Sequence, residues 1–210
     1  MRLSLLAPFL IAAASPRMFA QTVIREYRPE LAVTSPRIDG FGLTFLVEQH
    51  LEMETLFPNE RILGFGMVSP AFHHVSAAFE TRQVHLNGNL EHRYLPILNS
   101  TLPLPAGFEL RDRARIEMRD INRVWSRRYQ NRAAVGHLVD AGSRELFPYV
   151  QVELSYDSRF AELNRRDVAF GVRIPMGAGI SVDTSIGRQS DTRRTPLLLL
   201  AGNAIIRVAL

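Results

Sequence analysis

The densest chemistry in the chain is the stretch ELRDRARIEMRD, residues 109–120. Read as a strand, Arg111, Arg113, Arg115, Glu117 and Arg119 point one way. Leu110, Ala114, Ile116 and Met118 then point the other way, with Asp112 the one exception. Read as a helix, Leu110, Ala114 and Met118 stack at i, i+4, and Ile121 and Trp125 extend the stripe. Periodicity alone leaves both readings open. A helix would have a wet charged face. A strand would carry an arginine ladder on one side, and any part of it that is buried needs carboxylate partners, because an unpaired buried charge is costly.

Other residues could do different chemistry. The six histidines are His50, His73, His74, His85, His92 and His137. His73-His74 would chelate a metal poorly on a strand, since neighbouring side chains face opposite ways. Ser126 with His137, or Ser100 with His92, are the nearest candidates for a membrane-embedded hydrolase. A catalytic triad is recognised by geometry, however, and not by sequence position. No G-x-S-x-G, H-E-x-x-H, phosphate loop or dinucleotide fingerprint occurs. The expectation is no catalytic residue, no metal and no cofactor.

The neighbouring segments decide between helix and strand. In PYVQVELSYDSRF, Val150, Val152, Leu154 and Tyr156 oppose Tyr149, Gln151, Glu153, Ser155 and Asp157. In NRRDVAFGVRIP, Val168, Phe170, Val172 and Ile174 alternate with Asp167, Ala169, Gly171 and Arg173. FGLTFLVEQHLEM and GISVDTSIG alternate in the same way. This is the period of two that belongs to strands. Turn chemistry cuts the chain at SPRIDG, TLFPNE, PLPAG, DAGSRE, PMGAG and QSDTRRTP. The segments between these breaks are long for soluble strands and suit tilted membrane-crossing ones. The simplest reading makes 109–120 another strand.

Ten strands are expected, near 22–34, 40–54, 60–74, 89–102, 106–119, 127–139, 147–157, 164–174, 178–188 and 197–210. Their fold class is all-β, an antiparallel up-and-down transmembrane β-barrel of about ten strands. Residues 75–88 and 189–196 are expected as outer loops, with both termini at the periplasmic end. A polar interior then holds a charge network of Arg111, Arg113, Arg115, Glu117, Arg132, Glu153, Asp157, Arg165, Asp167 and Arg173. Trp125, Tyr129, Tyr27, Tyr94, Tyr149 and Tyr156 are candidates for the membrane interfaces.

Composition is consistent with this. The 210 residues are 46% hydrophobic and 22% charged, which is too rich in apolar residues for disorder. Mean hydropathy is −0.03, and after the N-terminus no apolar run is long enough for a spanning helix. All 25 basic residues are arginine, the net charge is +4, and cysteine is absent. Acids are interleaved with the arginines, so no contiguous basic face for nucleic acid is expected. Missing cysteine excludes disulfides and thiol chemistry. MRLSLLAPFLIAAASPRMFAQ reads as a signal peptide, residues 1–20, ahead of a single domain over 21–210. Cleavage would remove Arg2 and Arg17 and halve the net charge.

The pieces RARIEMRD, RRYQNR, PYVQVELSYDSRF and NRRDVAFGV together resemble an uncharacterised family of bacterial outer-membrane barrels, over about 27–210. The resemblance implies an outer-membrane β-barrel with an Arg/Glu-lined interior and no established activity. It carries no catalytic residues. The chain departs from the usual pattern by ending on Leu210, where such barrels usually end on an aromatic. Expected partners are outer-membrane lipid and the barrel-assembly machinery, with the oligomeric state open. The leading expectation is a structural barrel or a narrow passive conduit. The alternatives are a membrane-embedded enzyme acting on lipid and a periplasmic soluble barrel binding an apolar ligand.

Overall fold

A computed structural model describes residues 23–56, 58–86, 88–142, 144–192 and 198–210. The expected leader, residues 1–20, lies outside them. The strands are β1 (Val23–Thr34), β2 (Gly42–Glu52), β3 (Pro58–Val68), β4 (Val75–Leu86), β5 (Asn89–Pro103) and β6 (Phe108–Ile121). They continue with β7 (Val124–His137), the short β8 (Val139–Asp140), β9 (Glu145–Asp157), β10 (Glu162–Gly177), β11 (Ile180–Asp191) and β12 (Leu198–Ala209). Eleven of them close into a barrel, and β8 pairs only with the start of β9. Each neighbouring pair is antiparallel except the last. β12 closes on β1 in parallel, from Val23↔Leu198 to Thr34↔Ala209.

The parallel seam follows from the odd count. Each hairpin reverses the chain, so the first and the eleventh barrel strands run the same way. The barrel therefore has a near end, where β1 starts, and a far end, where β12 stops.

The strand beyond the expected ten is β4, in a segment expected as an outer loop. Its outward face runs Val75, Ala77 and Phe79 and then turns polar at Thr81, Gln83 and His85, while its inward face mixes Ser76, Ala78, Glu80 and Arg82 with Val84, so its alternation is faint. The turn signal is strong, however. Asn87-Gly88 is the dipeptide that most favours a two-residue hairpin. Inserting β4 reverses the sense of everything before it, so the two termini cannot share one end. The gap between the expected strands 106–119 and 127–139 is also mostly strand. β6 and β7 meet in a two-residue turn, with Asn122 and Arg123 at φ 52 and 69. Positive φ at both positions is the turn whose twist matches a hairpin.

Side chains alternate in and out along every barrel strand. Glu91, Glu117, Ser155, Asp157 and Asp183 are buried, whereas Phe45, Phe65, Phe79, Leu98, Phe170 and Ile186 are exposed. This is the reverse of a water-soluble protein. A buried apolar cluster of Leu46, Ile62 and Val84 sits on the inner face of β2–β4.

Close packing inside uses glycine where an aromatic ring must lie flat on the wall. A Cβ on Gly171 would overlap the Tyr149 ring, and one on Gly136 would overlap Phe147. Gly171→Val should cost about 1–3 kcal/mol by forcing Tyr149 aside, read as a lower urea midpoint of the purified barrel. Gly202→Ala is the contrast. Its nearest neighbour would be Tyr27 Cδ2 at 3.8 Å, an ordinary contact, so the midpoint should barely move.

Candidate functional site: the charged interior

β6 is a strand, and its ladder faces the lumen. Cross-strand registers then bring each arginine to its partner. Arg113 stands opposite Arg132, and Arg132 opposite Glu153. Arg132 Nε donates to Glu153 Oε2 at 2.6 Å, and Arg113 Nη2 lies 3.6 Å from the same oxygen. One carboxylate thus serves two guanidiniums. Arg115 donates to Gln130 Oε1, whose own amide donates to Ser155 Oγ at 3.2 Å. Arg111 pairs with Glu109 on its own strand, and its guanidinium stacks 4.2 Å above the Phe147 ring.

Glu117 is the centre of a denser group toward the near end. Its two oxygens meet Arg93 Nε at 3.1 Å and Arg128 Nη1 at 3.5 Å. Arg93 also reaches Glu91 at 3.0 Å and Glu60 at 3.1 Å. Arg119 holds Glu91 through two nitrogens, one at 3.0 Å. Asp157 receives Arg128 at 3.6 Å and Arg159 at 2.6 Å, with Arg119 at 4.0 Å. His50 extends the chain round the wall to β2, contacting Glu48 at 2.8 Å and Glu60 at 3.1 Å.

A second group occupies β9–β12. Asp183 accepts from Arg173 at 3.0 Å, Arg207 at 2.9 Å and the Tyr149 hydroxyl at 2.6 Å. Arg165 contacts Asp191 at 3.4 Å. Asp167 points inward beside Gly187, where a Cβ would lie 3.2 Å from its carboxylate.

Sequence reasoning named ten of these residues and missed the others. Asp183 and Asp191 fall in register with Arg173 and Arg165 on the paired strand, and Arg128 shares the parity of Arg132. Parity alone could have found Arg128 and Asp183. Arg82 and Glu80 were hidden with β4. Glu60, Glu91 and Arg93 needed the correct partner strands. Tyr149 is not an interface residue, because it faces the lumen and binds Asp183.

The hydrolase pairings do not form. Ser126 and His137 lie near opposite ends of β7 and on opposite faces, eleven residues or about 36 Å apart. Ser100 and His92 share a face of β5 but stand eight residues or about 26 Å apart. His73 sits in a turn at φ 55, its ring edge-on to Phe72. Among the described residues, no group of three or more His, Asp or Glu could hold a metal ion.

The fold and the site together define a closed β-barrel with a charged interior and an apolar exterior. It is similar to the solved anion-selective porin from Comamonas acidovorans, with a TM-score of 0.44 and 10% identity over 81% of this chain and 53% of that one. The chain spans about half the length of that porin. No family model and no curated protein matches the sequence. The resemblance to an uncharacterised outer-membrane family therefore rests on the quoted residues alone.

Proposed function

We propose that this is a small integral outer-membrane β-barrel, exported by the segment 1–20, whose lumen is held by its own charge network and serves as a structural wall or a narrow passive conduit. The observation that carries the reading is the inverted polarity of the wall: Glu117 is 2% exposed, while Phe170 and Phe65 are each 55% exposed. Only apolar surroundings make that arrangement favourable, since a water-soluble barrel would gain by exchanging the two faces. A closed barrel also leaves no edge strand with unpaired backbone groups to meet lipid. Its partners are then outer-membrane lipid and the machinery that assembles such barrels.

A soluble barrel that binds an apolar ligand fits less well. The interior is dominated by ions, and the apolar grooves lie outside. One of them runs between β5 and β9 over Pro96, Leu98, Ala114, Ile116, Tyr129 and Leu154. An enzyme acting on lipid would need a nucleophile near a base, and the two serine–histidine pairings read from the sequence stand far apart.

Fractionation of expressing cells tests the reading. The chain should appear in the outer-membrane fraction and migrate faster unboiled than boiled. A soluble periplasmic band would overturn it. Planar-bilayer recordings then separate wall from conduit. Barrels of this size are filled by side chains, and open aqueous channels belong to about sixteen strands or more. Conductance should therefore be absent or far below that of a general porin.

A further inference from the structure

Five arginines on barrel strands face outward, and all five are at the near end. Arg25, Arg61, Arg127 and Arg166 are exposed and Arg188 is half-buried. Each is the third to fifth residue from the near end of its strand, on β1, β3, β7, β10 and β11 respectively. The registers tie them to one level. Leu200 pairs with both Arg188 and Arg25, and Arg166 lies opposite Ser190 on the strand that carries Arg188. In the gap between Arg61 and Arg127 stand His85, paired with Arg61, and His92, paired with Asp120. Asp120 is the one outward acid at this level. The far half of the outer wall carries no outward strand arginine among the described residues. An exposed arginine such as Arg25, Arg61, Arg127 or Arg166 has no reason to stand at a belt of Leu, Phe and Val unless its guanidinium meets anions at the edge of that belt.

We propose that this collar binds the phosphates of anionic phospholipid headgroups and holds the near end of the barrel at the phosphate plane of one leaflet. The proposal rests on the outer-membrane reading above. Guanidinium is suited to the task because its planar fork gives two parallel hydrogen bonds to a phosphate. Its apolar stem can lie along the belt while the charged head reaches the headgroups. The four exposed groups, Arg25, Arg61, Arg127 and Arg166, spread round the circumference would select lipid by charge and not by headgroup shape.

The single tryptophan reports on the site directly. Trp125 is exposed on β7, two residues from Arg127 on the same outward face, and stacks on Tyr94 at 6.0 Å. Purified full-length protein is reconstituted in phosphatidylcholine vesicles containing either phosphatidylglycerol or phosphatidylcholine brominated close to the headgroup, and Trp125 fluorescence is followed. The expected result is stronger quenching by brominated phosphatidylglycerol, with a relative association constant of about threefold or more. That preference should shrink as sodium chloride is raised. It should fall to about one in the combined variant R61Q, R127Q, R166Q. Equal quenching by both lipids overturns the collar and leaves the membrane reading standing. No quenching by either lipid overturns the membrane reading itself. Loss of the preference in inorganic phosphate, but not in chloride of equal ionic strength, would reassign the collar to free phosphate. The salt series needs no variant, so it decides the matter even if the triple substitution fails to fold.

Discussion

Glu117→Leu should lower the stability of the barrel by about 3–5 kcal/mol, seen as a large fall in the urea midpoint of the purified protein. Glu117 is 2% exposed and holds Arg93 and Arg128 from opposite sides. Removing one partner of a buried ionic group is severe because the remaining charges stay buried without compensation. Arg93 would keep Glu91 and Glu60, both already shared with Arg119 or His50. Arg128 would keep only Asp157, which also serves Arg159. Arg132→Met is the contrast. Its side chain is 34% exposed, so lumen water can screen what is lost, and about 1 kcal/mol or less is expected. An unchanged midpoint in Glu117→Leu would mean that water already fills the near half of the lumen. The barrel would then be a wet channel, and conductance would be the result to look for.

How much of this could be read in advance depended on the strand. β9 and β10 alternate large apolar with polar residues, so their faces are legible from sequence, and the ladder of β6 follows once its neighbours are strands. β4 was not legible in the same way. Ala77, Ala78 and Ser76 contribute little contrast between faces, and Arg82 with Glu80 looks like loop polarity until the turn signal of the Asn87-Gly88 dipeptide is given its weight. Missing one strand of an antiparallel barrel is not a local error. It reverses the direction of the preceding strands, moves one terminus to the other end, and converts a closing antiparallel seam into the parallel pairing of β1 with β12.

The interior was readable by parity but not by pairing. A sequence says which side of a strand Arg173 faces. It does not say that Asp183 lies across from it, because register depends on where the turn at Ala178-Gly179 falls. Glu117 illustrates the limit. Its inward orientation follows from the alternation of 109–120, yet its partner Arg93 lies across the strand pair β5–β6 and Arg128 across β6–β7. The outward arginines were in plain view throughout. What hid them was that Arg25, Arg61, Arg127, Arg166 and Arg188 are far apart in the chain, and only closure of the barrel brings them to one level.

Phe170→Arg should block stable insertion, reducing the folded, heat-modifiable fraction in vesicles by an amount equivalent to about 2–4 kcal/mol. Phe170 is 55% exposed and pairs with Val150 and Ile186, both outward, so it sits well inside the apolar belt. The cost of an outward arginine depends on depth, falling toward the interface where the side chain reaches headgroups. Gln83→Arg tests that gradient, because Gln83 pairs with His92 close to the collar level. It should cost no more than about 1 kcal/mol. The two substitutions add the same residue and the same charge on the same outer face, and they differ in depth and in the loss of the Phe170 ring. In a water-soluble barrel, Phe170→Arg would replace an exposed apolar ring with a solvated charge and alter stability by about 0.5 kcal/mol or less. Equal small effects at both positions would therefore sink the membrane reading. A large loss at Phe170 with near-neutrality at Gln83 follows only if the belt meets hydrocarbon and the collar meets its edge.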